Sequence, residues 1–252
     1  QGDMFGLDPG PVKPTPADDT SRPVAAWSEE QRLKSEKEAL GLYLTGHPID
    51  RYEKDVGHIT THRLSEINAM LQSEPATTGN NNRQMRTARV AGLISNIQTR
   101  NTRRGRMANI ELDDKTGRLE ITLFNEAMEN FAQYLSKDNL ILVEGDLGVD
   151  HYTGNMRLTA KQMMTIDQAR SHYARYLMLS LDQSSVDRDL LTQLMDTMRP
   201  YRPGRCPVQG FYVNNKASTP IPFGDDWKLN PTESLLNSLQ SLVGCENVTL
   251  VY

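Results

Sequence analysis

The spacing of apolar residues changes twice along the chain. Apolar side chains first recur at helical spacing, at Leu33, Leu40 and Tyr43. Ser28 precedes them and an acidic turn follows it, which is a typical start for a helix. We therefore predict a helix from about Glu29 to Tyr43 that stops near Gly46, and a short second helix over about residues 49–55.

Beyond the turn-rich segment EPATTGNNNRQ, the apolar period falls towards two. Alternating segments between turn residues predict five strands: RVAGLISNIQTR, RMANIELDD, RLEITLF, NLILVEGDLGV and MRLTAKQMMTI. The segment NEAMENFAQYLSKD, between the third and the fourth strand, has helical spacing. Five strands with a helix in this place is the order of an OB-fold, a small Greek-key barrel. We expect the barrel over about residues 86–167.

A second mixed region follows the barrel. The segments YLMLSL, PVQGFYV, IPFGDDWKL and ENVTLVY predict strands, and SSVDRDLLTQLMDTMRP and PTESLLNSLQSLVG predict helices. The predicted fold class is therefore α+β with several domains. We expect a peptide and Pro-rich tether at 1–27, a helical segment at 28–82, the OB-fold domain at 83–170 and a C-terminal α/β domain at 171–252.

Charge is unevenly distributed along the chain. The 252 residues carry a formal net charge of −4, yet no Asp or Glu occurs between Pro75 and Ile110. That stretch contains Arg83, Arg86, Arg89, Arg100, Arg103, Arg104 and Arg106. A local basic field is typical of a surface that binds a polyanion, although a solvated charged face is the alternative.

The cysteines and the apolar runs indicate a cytoplasmic protein that does not span a membrane. Cys206 and Cys245 lack the spacing of a metal site, which favours reduced thiols in a cytoplasmic protein. No apolar run approaches the roughly 20 residues that cross a membrane, so we expect no membrane partner.

Three longer motifs carry a family resemblance. They are ALGLYLTGHPID at 39–50, ELDDKTGRLEITLF at 111–124 and MRLTAKQMMTIDQAR at 156–170. With the predicted order of domains, they closely resemble the C-terminal part of the bacterial replicative DNA polymerase III α-subunit family. The resemblance implies a peptide that binds the sliding clamp β, an OB-fold domain, and a domain that binds the clamp-loader subunit τ. It also implies that the catalytic region of the polymerase lies outside this segment.

The first five residues, QGDMF, resemble the internal clamp-binding motif of that family. Gln1 both donates and accepts hydrogen bonds, Asp3 is the second spacer, and Met4 and Phe5 suit an apolar cleft. Burial of the two apolar side chains is worth about 3–6 kcal/mol before association costs, so we expect modest affinity. At the other end, NVTLVY at 247–252 departs from a second clamp peptide, and we favour an edge strand there.

The segment TRNTRRGR lies between the first two predicted strands, in a loop that OB-folds commonly use for oligonucleotides. We predict single-stranded DNA binding by its four arginines, Arg100, Arg103, Arg104 and Arg106. Phe124 and Tyr152 are the nearest candidates for base stacking, so we expect weak binding that does not depend on sequence. A solubilising hairpin tip is the alternative.

No set of residues predicts catalysis, a metal site or a cofactor. Asp113 and Asp114 in DDKTG are what a turn between strands requires. His58 and His62 lack metal-ligand partners at suitable spacing, and no Walker loop is present. Two other classes remain open: an OB module of a tRNA-binding protein, and a scaffold that joins clamp and clamp loader without contacting DNA.

Overall fold

A computed structural model describes residues 27–73, 86–102, 105–150, 153–182, 187–213 and 218–252. It divides the chain into two compact units, with the boundary between Thr45 and Gly46. The helices are α1 Glu29–Leu40, α2 Glu53–Ile59, α3 Leu64–Ser73, α4 Asn125–Asn130, α5 Ile166–Tyr173, α6 Arg188–Met198 and α7 Glu233–Val243. The strands are β1 Arg86–Thr102, β2 Gly105–Asp113, β3 Arg118–Phe124, β4 Leu140–Val149, β5 Met156–Thr165, β6 Tyr176–Asp182, β7 Val208–Val213, β8 Ser218–Pro222 and β9 Val248–Val251.

In the first unit, α1 begins where the sequence predicts and ends earlier. The Ser28 hydroxyl accepts from the backbone of Gln31, whose side chain accepts from the backbone of Ser28. This capping box satisfies amides that the first helical turn leaves unpaired. The predicted end near Gly46 is wrong because Gly41, with φ of 75°, takes the left-handed conformation that ends α1.

The second unit contains the predicted barrel, in which the strands close in the order β1-β2-β3-β5-β4. Helix α4 lies between β3 and β4, as expected for an OB-fold. Inward-facing side chains such as Ile110, Leu112, Ile121 and Leu123 form one core cluster. The predicted barrel and the α+β fold class are therefore confirmed.

The C-terminal region is built on a second sheet of order β8-β7-β6-β9. Strands β6 and β7 are parallel, while β8 and β9 pair antiparallel at the two edges. Helices α6 and α7 pack on this sheet around Leu194, Leu235 and Leu239. The C-terminal segment therefore forms an edge strand, β9.

Several sequence-based boundaries are wrong. The strand predicted for IPFGDDWKL is a short strand, β8, followed by a 3-10 turn at Asp225–Trp227. The second helix begins with a 3-10 turn at Asp50–Tyr52 and continues as α2 to Ile59. Helices α3 and α5 were not predicted, because their apolar residues pack on the barrel rather than forming a long periodic stripe.

Helices α2, α5 and α7 meet at a buried arginine, Arg170, whose side chain is 4% exposed. Its guanidinium donates to Asp55 Oδ2 at 2.6 Å, Glu233 Oε2 at 2.6 Å and Asp167 Oδ1 at 3.1 Å. The hydroxyl of Tyr252 donates to the second Asp55 oxygen at 2.6 Å. We call these five residues the Arg170 joint, because they connect the helical segment, the barrel and the C-terminal sheet.

The Arg170 guanidinium keeps its charge within the joint. Burial opposes the charge of the guanidinium, but the hydrogen bonds and charges of Asp55 and Glu233 outweigh it, and the pKa of Arg170 is raised. Burial and the Asp55 carboxylate raise the pKa of the Tyr252 hydroxyl above its ordinary value. The other Glu233 oxygen accepts from Arg51 Nε at 3.1 Å.

Candidate nucleic-acid interface

The outer face of β1, β2 and β3 forms a groove of about 460 Å³. Strand alternation creates it, because every second residue of β2 points into the core and the residues between them point outward. The pairing register arranges the outward residues in three rows across the strands: Arg100, Met107 and Phe124; Gln98, Asn109 and Thr122; Asn96, Glu111 and Glu120. We call these nine residues the groove face.

The row nearest the β1–β2 hairpin combines a cation with apolar side chains. Arg100 pairs in register with Met107, and Met107 pairs with Phe124. Phe124 is 45% exposed at the end of β3. A ring in this position is open to stacking on a base, while the guanidinium beside it is available to a phosphate.

The structure separates two of the four predicted DNA-binding arginines. Arg100 is on the groove face, whereas Arg106 pairs with Asn101 and therefore lies on the opposite face of the hairpin. Both side chains are exposed. Arg103 and Arg104 lie outside the described residues, as does the second stacking candidate, Tyr152.

The row farthest from the hairpin is acidic. Glu111 and Glu120 are directly opposite each other on neighbouring strands. Arg157 of β5 is in register with Glu120, but its guanidinium donates to Asp150 Oδ2 at 2.8 Å. The groove therefore changes from basic and aromatic at the hairpin to acidic at its other end.

Sequence reasoning missed the acidic residues of the groove face. The alternation of β2 predicts that Asn109 and Glu111 share a face. The register with β3, which brings Glu120 opposite Glu111, depends on the length of the DDKTG turn. Asp114 fixes that turn, since its carboxylate accepts from the backbone of Thr116 and Gly117.

The other predicted site residues do not belong to the groove face. The clamp-binding residues Gln1, Asp3, Met4 and Phe5 lie outside the described residues. In the C-terminal region, Phe223 and Trp227 are half-buried against the core, with ring centroids 6.5 Å apart. Within the described part of the chain, no three His, Cys, Asp or Glu residues are grouped as metal ligands.

Family models match two parts of the chain. Residues 193–244 match the DNA polymerase III subunit alpha, C-terminal domain, and residues 88–166 match an OB-fold nucleic acid binding domain. Curated relatives extend the similarity to the whole chain: DNA polymerase III subunit alpha of Vibrio cholerae is 33% identical over 253 residues, and that of Escherichia coli is 35% identical over 254 residues. The whole chain is thus similar to the C-terminal part of DNA polymerase III α subunits.

The chain spans about a fifth of these α subunits: 21% of each of the two relatives and 100% of its own length. The Pseudomonas aeruginosa subunit is 35% identical over 232 residues, which is 92% of this chain and 18% of that protein. The resemblance stated from sequence motifs is therefore confirmed for the α-subunit family.

Among solved structures, about a third of the chain is similar to mitochondrial single-stranded DNA binding protein Rim1 of S. cerevisiae. The TM-score is 0.27 at 24% identity, over 32% of this chain and 93% of that chain. A small single-stranded DNA-binding protein from Streptomyces coelicolor matches with a TM-score of 0.29 at 14% identity, over 32% and 92% of the two chains. None of the described helices is long and apolar enough to span a membrane.

Proposed function

We propose that this α-subunit segment belongs to a DNA-directed DNA polymerase and that its barrel holds single-stranded template DNA. The observation that carries the proposal is the row Arg100, Met107 and Phe124, which sets an exposed cation and an exposed ring on one face of an OB-fold. Arg103, Arg104 and Arg106 follow Arg100 closely in the sequence and add three positive charges to this segment. Phosphates near the hairpin and bases along the groove face fit this distribution.

The segment also tethers the polymerase. In this proposal, Gln1, Asp3, Met4 and Phe5 bind the sliding clamp β, and the region from about residue 171 to 252 binds the clamp-loader subunit τ. Both assignments are supported by the family resemblance and, for τ, by the apolar pair Phe223 and Trp227. A cytoplasmic location follows from this role in replication, and no cofactor is assigned to the segment.

One experiment with three ligands tests these roles. The whole chain is titrated with a labelled single-stranded oligonucleotide, with clamp and with τ, at several salt concentrations. If four arginines each neutralise one phosphate, the log–log salt slope for DNA should be about −3, and Arg100→Ala should reduce it by about 0.7. Arg188→Ala, which removes an exposed arginine on α6, is the matched control.

The other two ligands separate the proposed sites. Replacing Met4 and Phe5 with Ala should weaken clamp binding at least tenfold and leave the DNA slope unchanged, because hot-spot truncations usually cost at least about 2 kcal/mol. Trp227→Ala should weaken the binding of τ and leave the binding of DNA and of the clamp unchanged. A DNA slope near zero would leave the barrel as a spacer between clamp and clamp loader.

A further inference from the structure

The acidic end of the groove face holds one carboxylate in a fixed position. Asn109 Nδ2 donates to Glu120 Oε1 at 2.6 Å. The amide must present its nitrogen there, because an ionised carboxylate only accepts hydrogen bonds. Glu120 is half-buried, so the remaining lone pairs of its carboxylate face the groove in an orientation that Asn109 sets.

The groove face offers more acceptors than donors at this end. Within the described residues, neither Asn109 Oδ1 nor Thr122 Oγ1 has a hydrogen-bond partner, although both atoms are buried. Thr122 is 0% exposed and lies opposite Asn109 in the register. Both atoms are closed off from solvent, so a ligand in the groove meets the carboxylates of Glu111 and Glu120 instead.

A phosphate is a poor ligand for this end. Glu111 and Glu120 repel it, and the nearby guanidinium of Arg157 is already held by Asp150. A bound strand is therefore oriented, with its phosphates near Arg100 and its base edges towards Glu120. The part of a nucleotide that reaches Glu120 must donate a hydrogen bond.

We propose that Glu120, held by Asn109, selects bases that present an exocyclic amino group and so favours cytosine over thymine. Cytosine presents the N4 amino donor where thymine presents the O4 acceptor. A carboxylate accepts from the first and repels the second. This inference rests on the proposed binding of single-stranded DNA to the barrel, and it replaces the expectation that binding does not depend on sequence.

The test compares cytosine and thymine oligonucleotides of about twelve nucleotides, a length within the usual range for an OB-fold site. The wild-type chain should bind the cytosine strand about fivefold more tightly, which is the effect of one such base contact. In Glu120→Gln the amide can donate to thymine O4, so the ratio of the two affinities should fall to about one or invert. Glu246→Gln removes an equal charge from an exposed position on the C-terminal region and should keep the fivefold ratio.

The ratio separates base selection from simple charge removal. Loss of one negative charge strengthens the binding of both strands by the same factor. If Glu120→Gln strengthens the binding of both strands equally, so that the ratio of the cytosine to the thymine affinity is unchanged, base selection is overturned. Equal wild-type affinities for the two strands would overturn it while leaving DNA binding in place.

The variant Phe124→Ala tests DNA binding independently of base selection. It should weaken the binding of both strands by similar factors, because every base can stack on an aromatic ring. If neither strand binds the wild-type chain, the proposed function fails and base selection fails with it.

Discussion

At the Arg170 joint one cation is paired with three carboxylates, whereas on the groove face Glu111 and Glu120 stand opposite each other. Each carboxylate of the joint, Asp55, Asp167 and Glu233, accepts from the Arg170 guanidinium. On the groove face, Asn109 supplies one donor to Glu120, while Ser95 donates to Glu111 at 2.7 Å and the Arg118 guanidinium lies 3.9 Å from Glu111. The negative charges of the carboxylates are thus balanced by a buried cation at the joint and balanced only in part on the groove face.

This difference separates residues that hold the fold from residues that are available to a ligand. A buried charge remains only where partners surround it, since desolvation costs several kcal/mol per ion. A half-buried like-charge pair on neighbouring strands costs about a few tenths of a kcal/mol, which a folded protein tolerates at a surface that binds a ligand. We therefore assign the joint to the packing of the C-terminal region on the barrel and the groove face to recognition.

The largest expected effect is at the joint. Arg170→Met should lower the free energy of unfolding by about 3–5 kcal/mol, because it leaves Asp55, Asp167 and Glu233 close together without their cation. Urea denaturation followed by circular dichroism measures the change. Arg188→Met, an exposed site, should change stability by less than about 0.5 kcal/mol. A loss below about 1 kcal/mol for Arg170→Met would show that the joint contributes little to stability.

The barrel is predictable from sequence because its signals are local. Alternating apolar residues indicate the strands, and turn residues such as Asp114 and Gly117 separate them. Helices α3 and α5 carry weaker signals. Leu64, Ile67 and Leu71 recur at helical spacing over a single short segment, and Thr165 and Gln168 form a capping box at the start of α5. Both helices are short, and their apolar residues are buried by contact with the barrel, which the local sequence does not show.

The site is predictable in part for the same reason. The arginine-rich loop is contiguous in sequence, so Arg100 is found readily. Prediction of the groove face would require the register of three strands. Prediction of the joint would require the tertiary fold, because Asp55 and Glu233 are 178 residues apart in the sequence. Charge composition alone suggests a basic DNA surface, whereas the groove is basic only near the hairpin.

A second effect at the joint is expected at alkaline pH. The raised pKa of Tyr252 means that the folded chain keeps the phenol proton after the unfolded chain, with an ordinary pKa of 10.0, has lost it. The stability that the hydrogen bond to Asp55 contributes is thus fully present below pH 10 and decreases as the pH rises above it, because deprotonation then favours the unfolded chain. Above that pH, wild-type stability should fall about 1.4 kcal/mol per pH unit more steeply than that of Tyr252→Phe.

The measurement is urea denaturation between neutral pH and the alkaline range, with both chains compared at each pH. Tyr52 and Tyr173 also have raised pKa values and remain in both chains, so the difference between the chains isolates Tyr252. Parallel curves for the two chains would mean that Tyr252 titrates alike in the folded and unfolded states.

The smallest effect is expected on the groove face, and it has the opposite sign. Glu120→Gln should raise the free energy of unfolding by about 0.5 kcal/mol, because it removes one of two like charges that face each other across β2 and β3. Glu111→Gln should gain less, because it also removes the ion pair of Glu111 with Arg118, and the double variant should gain less than the sum, since either change already removes the repulsion. High salt should shrink all three gains, because it screens exposed charges. Destabilisation by Glu120→Gln would show instead that the carboxylate is needed to hold Asn109, and the contrast with the Arg170 joint would then fail.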